Sequence, residues 1–334
     1  MNNSTTNGSN SKNSLEESTT RASQATALVL SLILLIVSLW IASSIIMYGV
    51  RTKKWKFNTK VVSQKNALVS LCLAAAGLLI TSLRFMTTVL IVAIGYTYEE
   101  NEEGSRACEI LLDFSVAVYA LSITAIYFFV WYRQKLFYSQ PMMSHLKTKT
   151  VLFFSHSFVI IFLCFGVSSV ILFVNPVTYE LSKKDGCKIL EEAENEHFSN
   201  YLVAATLVTS QVILLGLLLN PTIALRSDLS ISSLEKTSKS IITKNKRIMR
   251  AARAACLCTL VCIISDLLAA FLVSFILTET RSSFRNLVYD FGLIVNVISI
   301  VFCFENYKKI FTSLVCSNKK RNLSNSPVSF YITS

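Results

Sequence analysis

The chain has 334 residues, of which 52% are hydrophobic and only 16% charged. A composition this apolar, spread along the whole length, excludes two ordinary soluble domains and points to one membrane domain. The net charge of +12 does not indicate nucleic-acid binding, because the basic residues fall in alternate loops and do not gather into one patch.

Residues 1–24 are polar and rich in Ser, Thr and Asn. They are expected to be disordered. They carry three glycosylation sequons, at Asn2, Asn3 and Asn7. No cleavable signal peptide is expected there, since the first apolar run has the length of a membrane span.

Seven apolar runs follow, at 25–50, 67–96, 110–131, 151–174, 201–225, 254–277 and 284–304. A helix needs roughly 20 such residues to cross the hydrocarbon core, where it must satisfy its own backbone polar groups. The expected fold is therefore all-α, a seven-transmembrane helix bundle over residues 25–304.

The loops give its orientation. The first holds Arg51, Lys53, Lys54, Lys56 and Lys60; the second holds Glu99, Glu100, Glu102 and Glu103. The third has Arg133, Lys135, Lys147 and Lys149, and the fourth has Glu191, Glu192, Glu194 and Glu196. The fifth is again basic, with Lys244, Lys246, Arg247 and Arg250 among its residues, and the tail adds Lys308, Lys309, Lys319 and Lys320. Lys and Arg mark the cytoplasmic side, so the N-terminus is expected outside and the C-terminus inside.

On that topology only Cys108 and Cys187, of nine cysteines, face the oxidising side. A disulfide between them is expected, with two free thiols as the alternative. The cysteines within helices read as small apolar fillers.

Charges inside the bundle need a partner or a purpose. Arg84, Asp113 and Asp290 lie at similar depth in the outer third. They are expected either to line a polar ligand pocket or, for Arg84 with Asp290, to form an internal ion pair. Asp266 lies near the middle of the sixth run. It is expected to pair with Asn296 or another bundle residue, to titrate as part of a switch, or to rest as a neutral hydrogen-bonded acid.

Several motifs carry a family resemblance. Arg133 follows Cys108 by twenty-five residues, in Trp131-Tyr132-Arg133-Gln134, and Ser122 follows Cys108 by fourteen. The next loop reads Ser139-Gln140-Pro141-Met142. The seventh run contains Asn296-Val297-Ile298-Ser299-Ile300, and Tyr307-Lys308 comes eleven residues after Asn296. In these the chain resembles a divergent rhodopsin-like (class A) G-protein-coupled receptor.

The resemblance implies a receptor that passes an extracellular ligand signal to a heterotrimeric G protein. It implies G-protein contact through Tyr132, Arg133 and Met142; an interfacial arginine snorkelling to headgroups is the other reading of Arg133. It also implies a short amphipathic eighth helix over 305–316, palmitoylation of Cys316, and a cytoplasmic tail over 317–334. Ser115 stands where amine receptors carry their key Asp, so a standard monoamine ligand is not expected; Ser115 is counted with Arg84, Asp113 and Asp290 among the ligand-pocket candidates. Asp266 and Asn296 are the candidate switch.

The departures have implications too. The second run has no acidic residue, so the family's sodium site is not expected. The sixth has no proline, and the usual kinked switch is not expected. The seventh has no Lys for a retinal Schiff base.

Catalysis is not expected. There is no Gly-rich phosphate loop and no nucleophile beside a base, and His145, His156 and His197 are scattered. No metal or cofactor is expected. The partners expected are the ligand, the G protein and membrane lipid, in the plasma membrane. A membrane transporter or ligand-gated channel is the alternative, though no inverted repeat is visible.

Overall fold

A computed structural model of the chain describes residues 7–51, 62–97, 102–139, 147–174, 179–182, 186–189, 205, 208–220, 223, 239–273, 282–304, 307–308 and 310–311. The helices are α1 (Asn7–Arg51), α2 (Val62–Thr97), α3 (Glu102–Tyr138), α4 (Lys149–Val174), α5 (Val208–Asn220), α6 (Lys239–Phe271) and α7 (Ser282–Phe302). α1, α2, α3 and α6 extend beyond their apolar runs where the chain turns polar. Backbone bonding continues there, because water can solvate the side chains. α1 is the extreme case: it starts at Asn7, so helix covers most of the segment expected to be disordered.

Five helices contain stretches long and apolar enough to cross a membrane: Ala22–Arg51, Asn66–Ile94, Glu102–Tyr138, Ala252–Phe271 and Arg285–Phe302. Lys149–Cys164 and Val208–Asn220 are shorter apolar helical stretches. The run at 201–225 lies only partly within the described residues. The chain is thus a multi-pass membrane protein.

Its surface has the character a bilayer demands. Large apolar side chains point outward, among them Ile36, Phe153, Ile160 and Leu257, each more than 60% exposed. Polar ones point inward: Ser38, Thr81, Gln211, Asp290 and Asn296 are buried. Lipid is as apolar as leucine, so small residues and internal hydrogen bonds hold such helices together. Ser38 of α1 meets Ser82 of α2 at 3.0 Å. Many hydroxyls also bond back to their own helix, as Ser31 to the Ala27 carbonyl and Ser122 to that of Val118.

α3 is central. It packs against α2, α4, α6 and α7, while α1 lies on α2 and α7. Glu102 and Glu103 sit in its first turn and Lys135 in its last, each matching the helix dipole.

Among the described residues, one departure from all-α structure stands at the Cys108 end. β1 (Tyr179–Ser182) and β2 (Gly186–Ile189) form an antiparallel hairpin with Leu181 opposite Cys187. It packs on α2, α3 and α7. Cys187 is disulfide-bonded to Cys108, with Cα atoms 5.7 Å apart. The bond closes a span of 79 residues, a constraint on the unfolded chain of about 4 kcal/mol in the chain-entropy picture. Ile91, Ile94, Leu111 and Leu112 surround it.

Candidate functional site

Two buried polar centres and one interfacial contact lie along α3. The first is the ion pair of Arg84 on α2 with Asp290 on α7. Arg84 Nε donates to Asp290 Oδ1 at 3.0 Å, and the two side chains are 3% and 0% exposed. Thr88, one turn along α2, donates to Asp290 Oδ2 at 2.7 Å. Arg84 Nη2 donates to Asn286 Oδ1 at 3.3 Å. The Tyr119 ring of α3 lies 5.4 Å from the guanidinium and packs against Tyr289. A buried pair offsets its desolvation only when its remaining hydrogen-bonding capacity is used, and Thr88 and Asn286 supply that here.

Of the four pocket candidates, the structure joins Arg84 and Asp290. Asp113 is half-buried, six residues or about 9 Å of helix from Tyr119. Ser115 is buried, and its hydroxyl has no hydrogen-bond partner among the described residues. Tyr119, Thr88 and Asn286 carried no charge or spacing to single them out in the sequence.

The second centre is built on Asp266 of α6. Asn296 Nδ2 of α7 donates to Oδ1 at 2.8 Å. Tyr127 Oη of α3 and Gln211 Nε2 of α5 both donate to Oδ2, at 2.5 and 2.9 Å. Gln211 Nε2 also reaches Tyr127 Oη. Three helices thus satisfy one carboxylate carried by a fourth. Tyr127 is fixed from its other side by the Phe162 ring of α4, 5.3 Å away. Sequence reasoning offered Asn296 as one possible partner of Asp266 and did not name Tyr127 or Gln211. A glutamine inside the apolar run 201–225 was the available signal.

The contact lies where α7 ends. Arg133 Nη2 donates to the Cys303 carbonyl at 2.7 Å, and the guanidinium lies 5.6 Å from the Phe304 ring. The last carbonyls of a helix lack intrahelical partners, so Arg133 caps α7 from α3. Its neighbour Tyr132 turns toward α2 and donates to Asn66 Oδ1 at 3.3 Å. Trp131 donates to the carbonyl and hydroxyl of Ser155 on α4.

Past α7, Ile310 is buried and Phe311 stacks on Trp40 of α1 at 5.3 Å. Asn7 is the first residue of α1. Asn2, Asn3, Met142 and Cys316 lie outside the described residues. Among the described residues no group of His, Cys, Asp or Glu could hold a metal ion.

Compared with known protein families and with curated proteins, the chain matches none.

Proposed function

We propose that this chain is a divergent rhodopsin-like G-protein-coupled receptor of the plasma membrane, with seven spans, its N-terminus outside and its C-terminus inside. The observation that carries the reading is α3. One continuous helix bears Cys108, disulfide-bonded to the hairpin at one end, and Arg133, capping α7, at the other. A ligand at the hairpin end would favour the arrangement it binds better. The response at the other end would be a shift of helix packing that frees Arg133 from Cys303.

In this reading Tyr132, Arg133 and Met142 meet a heterotrimeric G protein. Residues 305–316 form an amphipathic helix held by Ile310 and Phe311 and anchored through Cys316. At least one of Asn2, Asn3 and Asn7 accepts a glycan outside. Arg84, Asp113, Ser115 and Asp290 border the ligand site, and Asp266 with Asn296 forms the switch.

The test is agonist-independent nucleotide exchange on added G proteins, in membranes holding equal surface amounts of wild type and Arg133→Ala. Exchange above background in wild type, falling to background in the variant, is the expected outcome. Equal exchange in both would remove Arg133 from coupling. The buried charges at Arg84, Asp290 and Asp266 also suit a transporter or ligand-gated channel. Currents in membranes free of G proteins would favour that second reading.

A further inference from the structure

α3 and α4 run antiparallel, and two contacts fix their register. Tyr127 of α3 packs on Phe162 of α4 at 5.3 Å. One turn further along α3, Trp131 Nε1 donates to the Ser155 hydroxyl at 2.9 Å and to its carbonyl at 3.1 Å. Both helices reach their charged ends just beyond this rung. Lys135 comes four residues after Trp131 and Lys149 six residues before Ser155, about 6 and 9 Å farther along the two axes. At the start of α4 the Thr148 hydroxyl accepts from the Val151 N–H at 3.3 Å, a cap that sets Lys147 and Lys149 on either side of it.

Lys135 is held on the seam between the two helices. Its Nζ lies 5.2 Å from the Trp131 ring, and the same indole is bonded to α4. An ammonium over a ring face keeps N–H donors for a second partner. Lys135, Lys147 and Lys149 are all exposed.

This part of the chain supplies no countercharge for them. Residues 114–179 contain Arg133, Lys135, Lys147 and Lys149 and no Asp or Glu. Arg133 turns away to the Cys303 carbonyl. Among the described residues no carboxylate pairs with any of the three lysines. On the bilayer side of them stand Leu152, Phe153 and Phe154, all exposed, with the two rings edge to face. The seam is cationic where the apolar run of α4 begins and apolar immediately beside it, which matches a molecule with an acidic head and a hydrocarbon body.

We propose that the α3–α4 seam is a binding site for an anionic phospholipid. Its phosphate and acidic headgroup accept from Lys135, Lys147 and Lys149, and its acyl chains lie over Leu152, Phe153 and Phe154. A free phosphate ion would answer the lysines alone and leave the apolar half uncovered. Among the described residues α4 packs on α3, so a lipid touching both fastens α4 at the end where α3 presents Arg133. The site does not depend on the receptor reading, and a channel of the same fold would have it. In the orientation proposed above it faces the cytoplasmic leaflet, where anionic lipids gather.

The experiment is native mass spectrometry of the full chain in detergent, with phosphatidylserine and phosphatidylcholine of matched acyl chains added in equal amounts. Wild type should retain phosphatidylserine over phosphatidylcholine by about tenfold or more, since each lysine near an anionic surface contributes roughly fivefold. The triple variant Lys135→Gln, Lys147→Gln, Lys149→Gln should lose that preference while keeping the Cys108–Cys187 disulfide, the sign of an intact fold. The triple variant Lys53→Gln, Lys54→Gln, Lys56→Gln removes as much charge from the first loop and should keep the preference. An excess of inorganic phosphate should leave the lipid in place. Wild type alone gives a second reading: phosphatidylserine with a photoreactive acyl chain should label α4 within Leu152–Phe154. Equal retention of the two lipids, a preference that survives in the first variant or is lost in the second, displacement by phosphate, or label confined to other helices would overturn the proposal.

Discussion

Asn296 on α7 and Gln211 on α5 donate to different oxygens of the same carboxylate, that of Asp266, at 2.8 and 2.9 Å. Tyr127 completes the set from α3. Each amide uses its nitrogen for the carboxylate and leaves its oxygen, Gln211 Oε1 or Asn296 Oδ1, without a hydrogen-bond partner among the described residues.

That asymmetry ranks two substitutions at Asp266. Asp266→Ala strands three buried donors and should destabilise the chain by about 3 kcal/mol or more. Asp266→Asn keeps one acceptor, and its new NH2 can turn to either unpartnered amide oxygen. Its loss should be about 1–2 kcal/mol. Thermal unfolding in detergent micelles checks the order. Equal losses would mean that the three donors do not share one acceptor.

At the ion pair, removing one charge should be worse than removing both. Arg84→Ala leaves the Asp290 carboxylate buried with Thr88 as its remaining donor, an expected loss of about 3–5 kcal/mol. Replacing Arg84 and Asp290 together by Leu removes both desolvation costs and should recover most of that loss. Unfolding midpoints of the three chains measure it. A double variant no better than Arg84→Ala would show that the charges themselves hold the helices.

Gly292 sets the approach of α7 to α6. A methyl there would stand 3.6 Å from the Ala269 Cβ and 3.9 Å from Asp266 Oδ1, which is ordinary contact. Gly292→Ala should therefore be tolerated, with a helix-propensity gain of up to about 1 kcal/mol. Gly292→Leu overfills the gap and should cost about 1–3 kcal/mol. Unfolding midpoints of the two variants separate these outcomes, and a neutral Leu would mean that α6 and α7 pack less closely than described.

The apolar runs made the helical core readable, because a backbone in hydrocarbon has few other ways to satisfy itself. Helix ends were less readable: Asn7 and Glu102 lie in polar sequence where nothing apolar marks a start. The hairpin was hidden because its two four-residue strands are too short for a clear alternation. Arg84 with Asp290 was legible as an ion pair, but spacing along separate helices could not choose between that pair and a polar pocket shared with Asp113. Azimuth chooses, since Thr88 donates to Asp290 beside Arg84 and Asn286 accepts from Arg84 itself. Gln211 and Tyr127 escaped notice because an uncharged polar side chain in an apolar run is compatible with many surroundings.

The span of α3 between its two attachments is a stiff rod. Twenty-five residues separate the sulfur that binds the hairpin from the arginine that caps α7, a length of about 37 Å. A rod fastened at both ends turns a small tilt at one rim into a sideways step at the other. Tugging on the strand that holds Cys187 therefore loads the final turn of α7 on the far side, with no loop in between to absorb the strain.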